Sequence, residues 1–174
     1  MIKEPNWVDI IFNFDFPADH FPYVVERVRG TPARLEELVR GIDPAILTIK
    51  PEGGKEWSIQ EHVGHLSDLE ELHLGRLDDF AVGKDTLRAA DMTNRKTHEA
   101  NHNAASLDDL LRRFRAVRKQ FVERIENSTL EQVEQSALHP RLGVQMRLID
   151  LALFTAQHDD HHLACITLIA RVNS

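Results

Sequence analysis

MRLIDLALFTAQHDDHHLACITLIARV, residues 146–172, reads as one long helix that is apolar around much of its circumference. A helix of that kind cannot lie on a surface and belongs inside a bundle. Its stripe Leu148, Leu151, Thr155, His158, His162, Ile166 and Ile169 advances in steps of three and four, which keeps these side chains on one face. Histidines therefore interrupt an inward stripe, and the segment that decides the fold class also marks a site.

Three more helices follow on working outward. Leu107, Leu110, Leu111, Phe114, Val117, Phe121, Val122 and Ile125 recur at helical spacing behind a Ser106 cap, giving a third helix that ends near Glu126. Ser58-Ile59-Gln60-Glu61 is a capping box, and the leucines from Leu66 to Leu77 carry a second helix to about Val82. Thr31-Pro32 caps a first helix that stops at Gly41, while Phe21 to Arg29 is also helical, as a bent continuation or a separate piece. Residues 1–20 form an aromatic arm (Trp7, Phe12, Phe14, Phe16) expected to pack on the domain of residues 21–174. No period-2 strand pattern stands out. The expected class is all-α, a four-helix bundle.

Composition narrows the function classes. The 174 residues make a one-domain length. Twenty-one Lys and Arg against 28 Asp and Glu leave a net charge of −7, so nucleic acid and anionic membrane are not expected partners. No apolar run approaches the ~18 residues of a membrane span. Cys165 is the single cysteine, which excludes an internal disulfide and suits a reducing, cytoplasmic setting. Ten histidines are the unusual figure.

His158 and His162 are four apart, so their directions differ by only ~40° and two imidazoles can grip one ion from a single helix. His158 with His161 is a second possible pair, but His161 falls at the edge of the inward stripe. The second helix offers His62, His65 and His73 as a third ligand, and periodicity alone does not choose between His62 and His65. Three histidines leave a coordination position open, the catalytic form of a zinc site. His158-Asp159-x-x-His162 echoes a zincin motif, yet no histidine or acid follows His162 to complete it. Cys165, one turn after His162, reads as core packing ahead of a nucleophile. Asp68 either orients His65 from behind or is a solvated acid, and Glu70, Glu71, Asp78 and Asp79 read as solvated faces.

Three segments resemble the DinB/YfiT-like metal-binding bundles. Pro51-Glu52-Gly53-Gly54-Lys55-Glu56-Trp57-Ser58 leading to Gly64-His65-Leu66-Ser67-Asp68 is similar to the family's P-x-G-G-x-W-S…G-H-L-x-D segment. His139-Pro140-Arg141-Leu142-Gly143 resembles the H-P-x-x-G turn of the YfiT branch, and His158-Asp159-Asp160-His161-His162 with Ile166 resembles the closing H-x-x-H-H-x-x-x-I. The resemblance implies an up-down-down-up bundle, often a homodimer, with a divalent ion (zinc or nickel) on His65, His158 and His162. It also implies transfer of a low-molecular-weight thiol of the bacillithiol, mycothiol or glutathione type to an electrophilic small molecule. A metal-dependent hydrolase and a non-catalytic, metal-stapled bundle are the alternatives.

Overall fold

The computed structural model describes residues 6–51 and 56–173, so the Glu52–Lys55 part of the glycine-rich motif lies outside the described residues. Four helical rods make the bundle. The first is bent, with α1 (Phe21–Arg29) and α2 (Thr31–Val39) joined through Gly30. Pro32 has no N–H to offer the Val28 carbonyl, and Nη1 of Arg118 donates to that carbonyl at 3.4 Å. Thr31 does not cap α2 as expected; its hydroxyl donates to Asp159 at 2.7 Å.

The second rod, α3 (Ile59–Ala81), starts at a complete capping box. Ser58 Oγ accepts from Glu61 N at 3.2 Å, and Glu61 Oε2 accepts from Ser58 N at 2.8 Å. Such a cap contributes about 1 kcal/mol. A long connection carries the short α4 (Arg95–Glu99) to α5 (Leu107–Glu126), where Ser106 Oγ accepts from Asp109 N. After α6 (Leu130–Glu134) come β1 (Ser136–His139) and β2 (Val144–Arg147), and then α7 (Leu148–Asn173).

The antiparallel hairpin β1–β2 replaces the expected loop and moves the start of the last helix from Met146 to Leu148. Val144-Gln145-Met146-Arg147 alternates apolar and polar, but four residues are too few for the pattern to stand out. Their turn needs Gly143, whose φ of +67° favours glycine.

Cross-helix pairs give the chain directions. Gln60 with the Ala105 carbonyl, Asp68 with Arg113, Glu70 with Arg118 and Asp78 with Arg124 advance together, so α3 and α5 are parallel. Arg29 with Glu126 and Glu36 with Arg115 run oppositely, so the first rod is antiparallel to α5. His62 beside His162 and His65 beside His158 set α3 antiparallel to α7. The topology is up-down-down-up.

The core is split in two. One apolar half holds Val24, Val28, Leu77, Phe80, Phe121, Ile125, Ile149 and Phe154. The other holds Leu35, Val39, Ile59, Val63, Leu66, Leu110, Phe114, Ile166 and Ile169. Between them every rod contributes polar residues: Thr31, then His65 and Glu70, then Arg118, then His158, Asp159 and His162, all buried. The arm lies along the first half, with Trp7 and Phe12 edge-on or tilted against Phe154, and Arg147 donating to the Phe14 and Phe16 carbonyls at 3.0 Å. No helix among the described residues is long and apolar enough to cross a membrane.

Candidate metal centre

The polar layer brings His65, His158 and His162 together. One ring nitrogen from each lies within 4.8 Å of the others, and all three residues are buried. Their hydrogen bonds show which nitrogens face inward. His65 Nδ1 is engaged by the Thr97 hydroxyl at 3.0 Å, which leaves its Nε2. His162 Nδ1 meets His62 Nδ1 at 2.8 Å, and Nε2 of His162 and of His158 lie 3.0 Å apart. His158 Nδ1 is buried with no partner.

Burial makes these imidazoles neutral. It lowers His65 to about 3, with the neighbouring His62 adding to the effect, and lowers His62 to about 4. His158 and His162 fall well below the usual value for the same reason, reinforced by the facing histidines. A neutral imidazole is the form that binds a metal, and three such nitrogens suit a borderline divalent ion such as zinc or nickel. The donor set fits.

The sign of the pH dependence follows. Unfolded histidines take up protons near pH 6.5, above the folded values, so the unfolded state binds more protons as pH falls. Stability of the metal-free protein is full above about pH 6.5 and is lost toward about pH 4, by about 1.4 kcal/mol per pH unit for each such imidazole. Urea midpoints at about pH 7.5 and 5.5 should differ clearly; equal midpoints would contradict the burial-driven shifts.

The neighbours sort into walls and supports. His161 stands beside the trio, 5.8 Å ring to ring from Trp7, with Cys165 Sγ 3.7 Å from its Nε2. Cys165 is half-buried, not in the core as its apolar helix suggests. His73 is turned to Glu70, its Nδ1 3.2 Å from Oε1. Trp7, Trp57, Leu69, Leu72 and Phe154 wall a cavity of about 280 Å³ onto which the trio opens.

Residues 27–166 match the sequence profile of the DinB superfamily. The chain belongs to that superfamily. A solved structure similar to this DinB chain is YfiT from Bacillus subtilis, described as a probable metal-dependent hydrolase with an unusual four-helix bundle topology. The two superpose with a TM-score of 0.74 at 19% identity, over 94% of this chain and 93% of that one. At that identity the likeness is one of fold. No curated protein matched by sequence.

The supports of the DinB site are where the sequence reading needs correction. Asp68 is buried, as are Glu70 and Asp79; only Glu71 and Asp78 are the solvated acids expected. Asp68 Oδ2 accepts from Thr97 Oγ1 at 3.2 Å and lies 2.7 Å from His102 Nε2, while Oδ1 accepts from Arg113 at 2.9 Å. Burial would raise its pKa, but His102, Arg113 and Thr97 outweigh that and hold it down. It thus acts on His65 through Thr97, a residue with no periodic signature.

One signal for these loop residues was present in α3. Gly64 and Gly75 are eleven residues apart, hence within ~20° of one face, and glycine inside a helix costs up to about 1 kcal/mol. A Cβ at position 64 would overlap the His102 ring, and one at 75 would overlap Arg88. Both glycines make room for side chains of the 83–105 connection.

Thr97→Val keeps the shape of the side chain but removes the link between Asp68 and His65. Metal affinity should fall by about 10- to 100-fold, the usual cost of losing a group that orients a ligand. Competition with a chelator of known affinity reads this directly; an unchanged affinity would mean that packing alone fixes His65.

Proposed function

We propose that this DinB protein is a metal-dependent enzyme that joins a low-molecular-weight thiol, of the bacillithiol, mycothiol or glutathione type, to an electrophilic small molecule. His65, His158 and His162 would hold the divalent ion, zinc or nickel. The observation that carries the reading is the placement of three neutral, buried imidazoles at the wall of a cavity sized for a small molecule.

A divalent ion held there supplies a Lewis acid that lowers the pKa of a thiol to the neutral range. The chain's own residues do the rest. Thr97 and His62 hold the ligand rings in orientation, Trp7 and Trp57 exclude bulk water, and the apolar wall of Leu69, Leu72 and Phe154 receives the carbon skeleton. In the reaction the sulfur bonds to the electrophilic carbon, the bond from that carbon to its leaving group breaks, and the leaving group departs with the electron pair while the thiol proton passes to it or to solvent.

Hydrolysis is the second reading, supported by the description of the YfiT structure. The two separate in one assay: transfer consumes electrophile only with thiol present and stops with chelator, whereas hydrolysis cleaves esters or amides without thiol. A metal staple would show neither and lose melting temperature on metal removal. The homodimer expected from the family belongs to the same proposal, and light scattering at micromolar concentration tests it.

Cys165→Ala distinguishes an external thiol from an internal one. Cys165 Sγ contacts His161, outside the trio, so the variant should keep its metal and most of its thiol-dependent turnover, at a stability cost of about 1 kcal/mol. Loss of turnover with metal retained would make Cys165 the nucleophile.

A further inference from the structure

The cavity has a second chemical end, which the three histidines do not use. From His158 its wall passes through Trp7, 5.0 Å ring to ring, and Phe154, 5.1 Å further, to Arg141 and His139 of the hairpin turn. Arg76 of α3 lines the same space.

These groups are short of the acceptors that such donors normally find. Arg76 is 2% exposed, and its Nε donates to the Arg88 carbonyl at 3.2 Å. No carboxylate among the described residues forms an ion pair with it. The acid nearest in character, Asp79, is already saturated by a forked Arg88 at 2.9 Å and by Lys84 at 2.7 Å. Arg141 places its guanidinium 6.0 Å from the Trp7 ring centre and 5.7 Å from that of Phe154, and its Nη2 is buried without a partner.

His139 completes the set. It is 1% exposed, and its Nδ1 accepts from Leu142 N at 3.2 Å. In the neutral ring that puts the hydrogen on Nε2, and Nε2 is also buried without a partner. Arg76, Arg141 and His139 lie close enough to act on one another: burial and Arg141, against the pull of Asp79, lower Arg76 to about 10, and burial with both arginines lowers His139 to about 4. Asp91, the carboxylate in the cavity lining, is exposed and accepts from Thr93 and from Arg95 N.

A buried guanidinium without a carboxylate partner, a buried guanidinium nitrogen without an acceptor and a buried imidazole N–H without one are costly unless something negative arrives to meet them. The guanidinium fork matches the oxygens of a carboxylate or a phosphate. We infer that Arg76, Arg141 and the Nε2–H of His139 form an oxyanion subsite, which takes the carboxylate or phosphate of a small-molecule substrate whose reacting end reaches the three histidines. The subsite is a binding and specificity element. Its link to substrate rests on the proposed reading of the cavity, but its anion binding does not.

Both tryptophans line the cavity, so their fluorescence reports occupancy without any turnover. Inorganic phosphate and succinate, titrated into the metal-loaded full-length protein at constant ionic strength, should change the fluorescence saturably. Arg141→Met should weaken both by about tenfold or more, the cost of losing a charged hydrogen bond, with metal content unchanged. Arg141 carries the test because it is on a turn, whereas Arg76 is deep enough that its removal could unfold the chain; Arg141→Lys should restore part of the affinity. Metal-stripped protein should bind the anions equally well.

Three results overturn the inference: no saturable binding of either anion, equal binding by Arg141→Met, or loss of binding when the metal is stripped. None depends on thiol transfer, so a protein that never transfers a thiol could still pass this test. A last arm assigns the source of the anion on the metal-loaded protein. Mercaptosuccinate binding much tighter than succinate, with the gain lost on metal removal, places the anion on the thiol; equal binding places it on the acceptor.

Discussion

His158→Ala and His162→Ala should each leave the purified protein without tightly bound metal, while His161→Ala should keep about one divalent ion per chain. The contrast follows from the helix. Positions 158 and 162 fall on the stripe that faces α3, where Nε2 of each ring lies 3.0 Å from the other and both meet His65. Position 161 is turned toward Trp7 and Cys165. A three-ligand site reduced to two loses most of its chelate advantage, so His65→Ala should behave like the first two. His62→Ala should keep the metal but bind it about 10- to 100-fold more weakly, because His62 holds His162 through its Nδ1. Metal analysis after gel filtration separates these classes, and metal loss in His161→Ala alone would reassign the pair on α7.

Arg118→Met should cost about 3–5 kcal/mol, the price of stranding a buried counter-charge. Arg118 is 1% exposed, and its guanidinium donates to Glu70 at 2.6 and 2.9 Å and to Asp159, whose side chain is fully buried. Burial alone would lower the Arg118 pKa and raise that of Glu70. The mutual attraction outweighs it, raising Arg118 and holding Glu70 at about 2. Removing the cation leaves two buried carboxylates without their shared counter-charge. Against a typical total of 5–15 kcal/mol, that loss is a large share of the fold's stability. Arg118→Lys should not restore it fully, since an ammonium cannot fork to both acids and the Val28 carbonyl. Urea unfolding at neutral pH measures the cost, and a change below about 1 kcal/mol would show that the polar layer is held by its surroundings.

How much of this was legible in the residues depends on periodicity. Ser58 with Glu61, the leucines of α3, the apolar stripe of α5 and the wrap-around apolarity of α7 are local signals, and each rod they announce is present. The i,i+4 spacing of His158 and His162 put both on one face, and the structure sets them side by side. Choosing His65 over His62 needed the family resemblance, because both rings are buried and only 4.8 to 5.1 Å from that of His162.

The parts that escaped are long-range. Glu70 and Asp79 look like surface acids until Arg118 or Arg88 arrives from another segment to pair with them. Thr97 and His102 sit in a connection without helical period, and only the helix glycines Gly64 and Gly75 hinted that something needed the space. The hairpin was too short to be seen, although its turn carries His139 and Arg141 into the cavity wall.

The central claim is that three imidazoles, and no other side chains, hold one ion between α3 and α7. X-ray absorption at the metal edge of the loaded protein tests it most directly. The account predicts about one ion per chain with three imidazole nitrogens at about 2.0–2.1 Å for zinc, completed by an exchangeable light atom. Carboxylate oxygens in place of imidazoles, a sulfur that disappears in Cys165→Ala, or a signal unchanged in His65→Ala would contradict it.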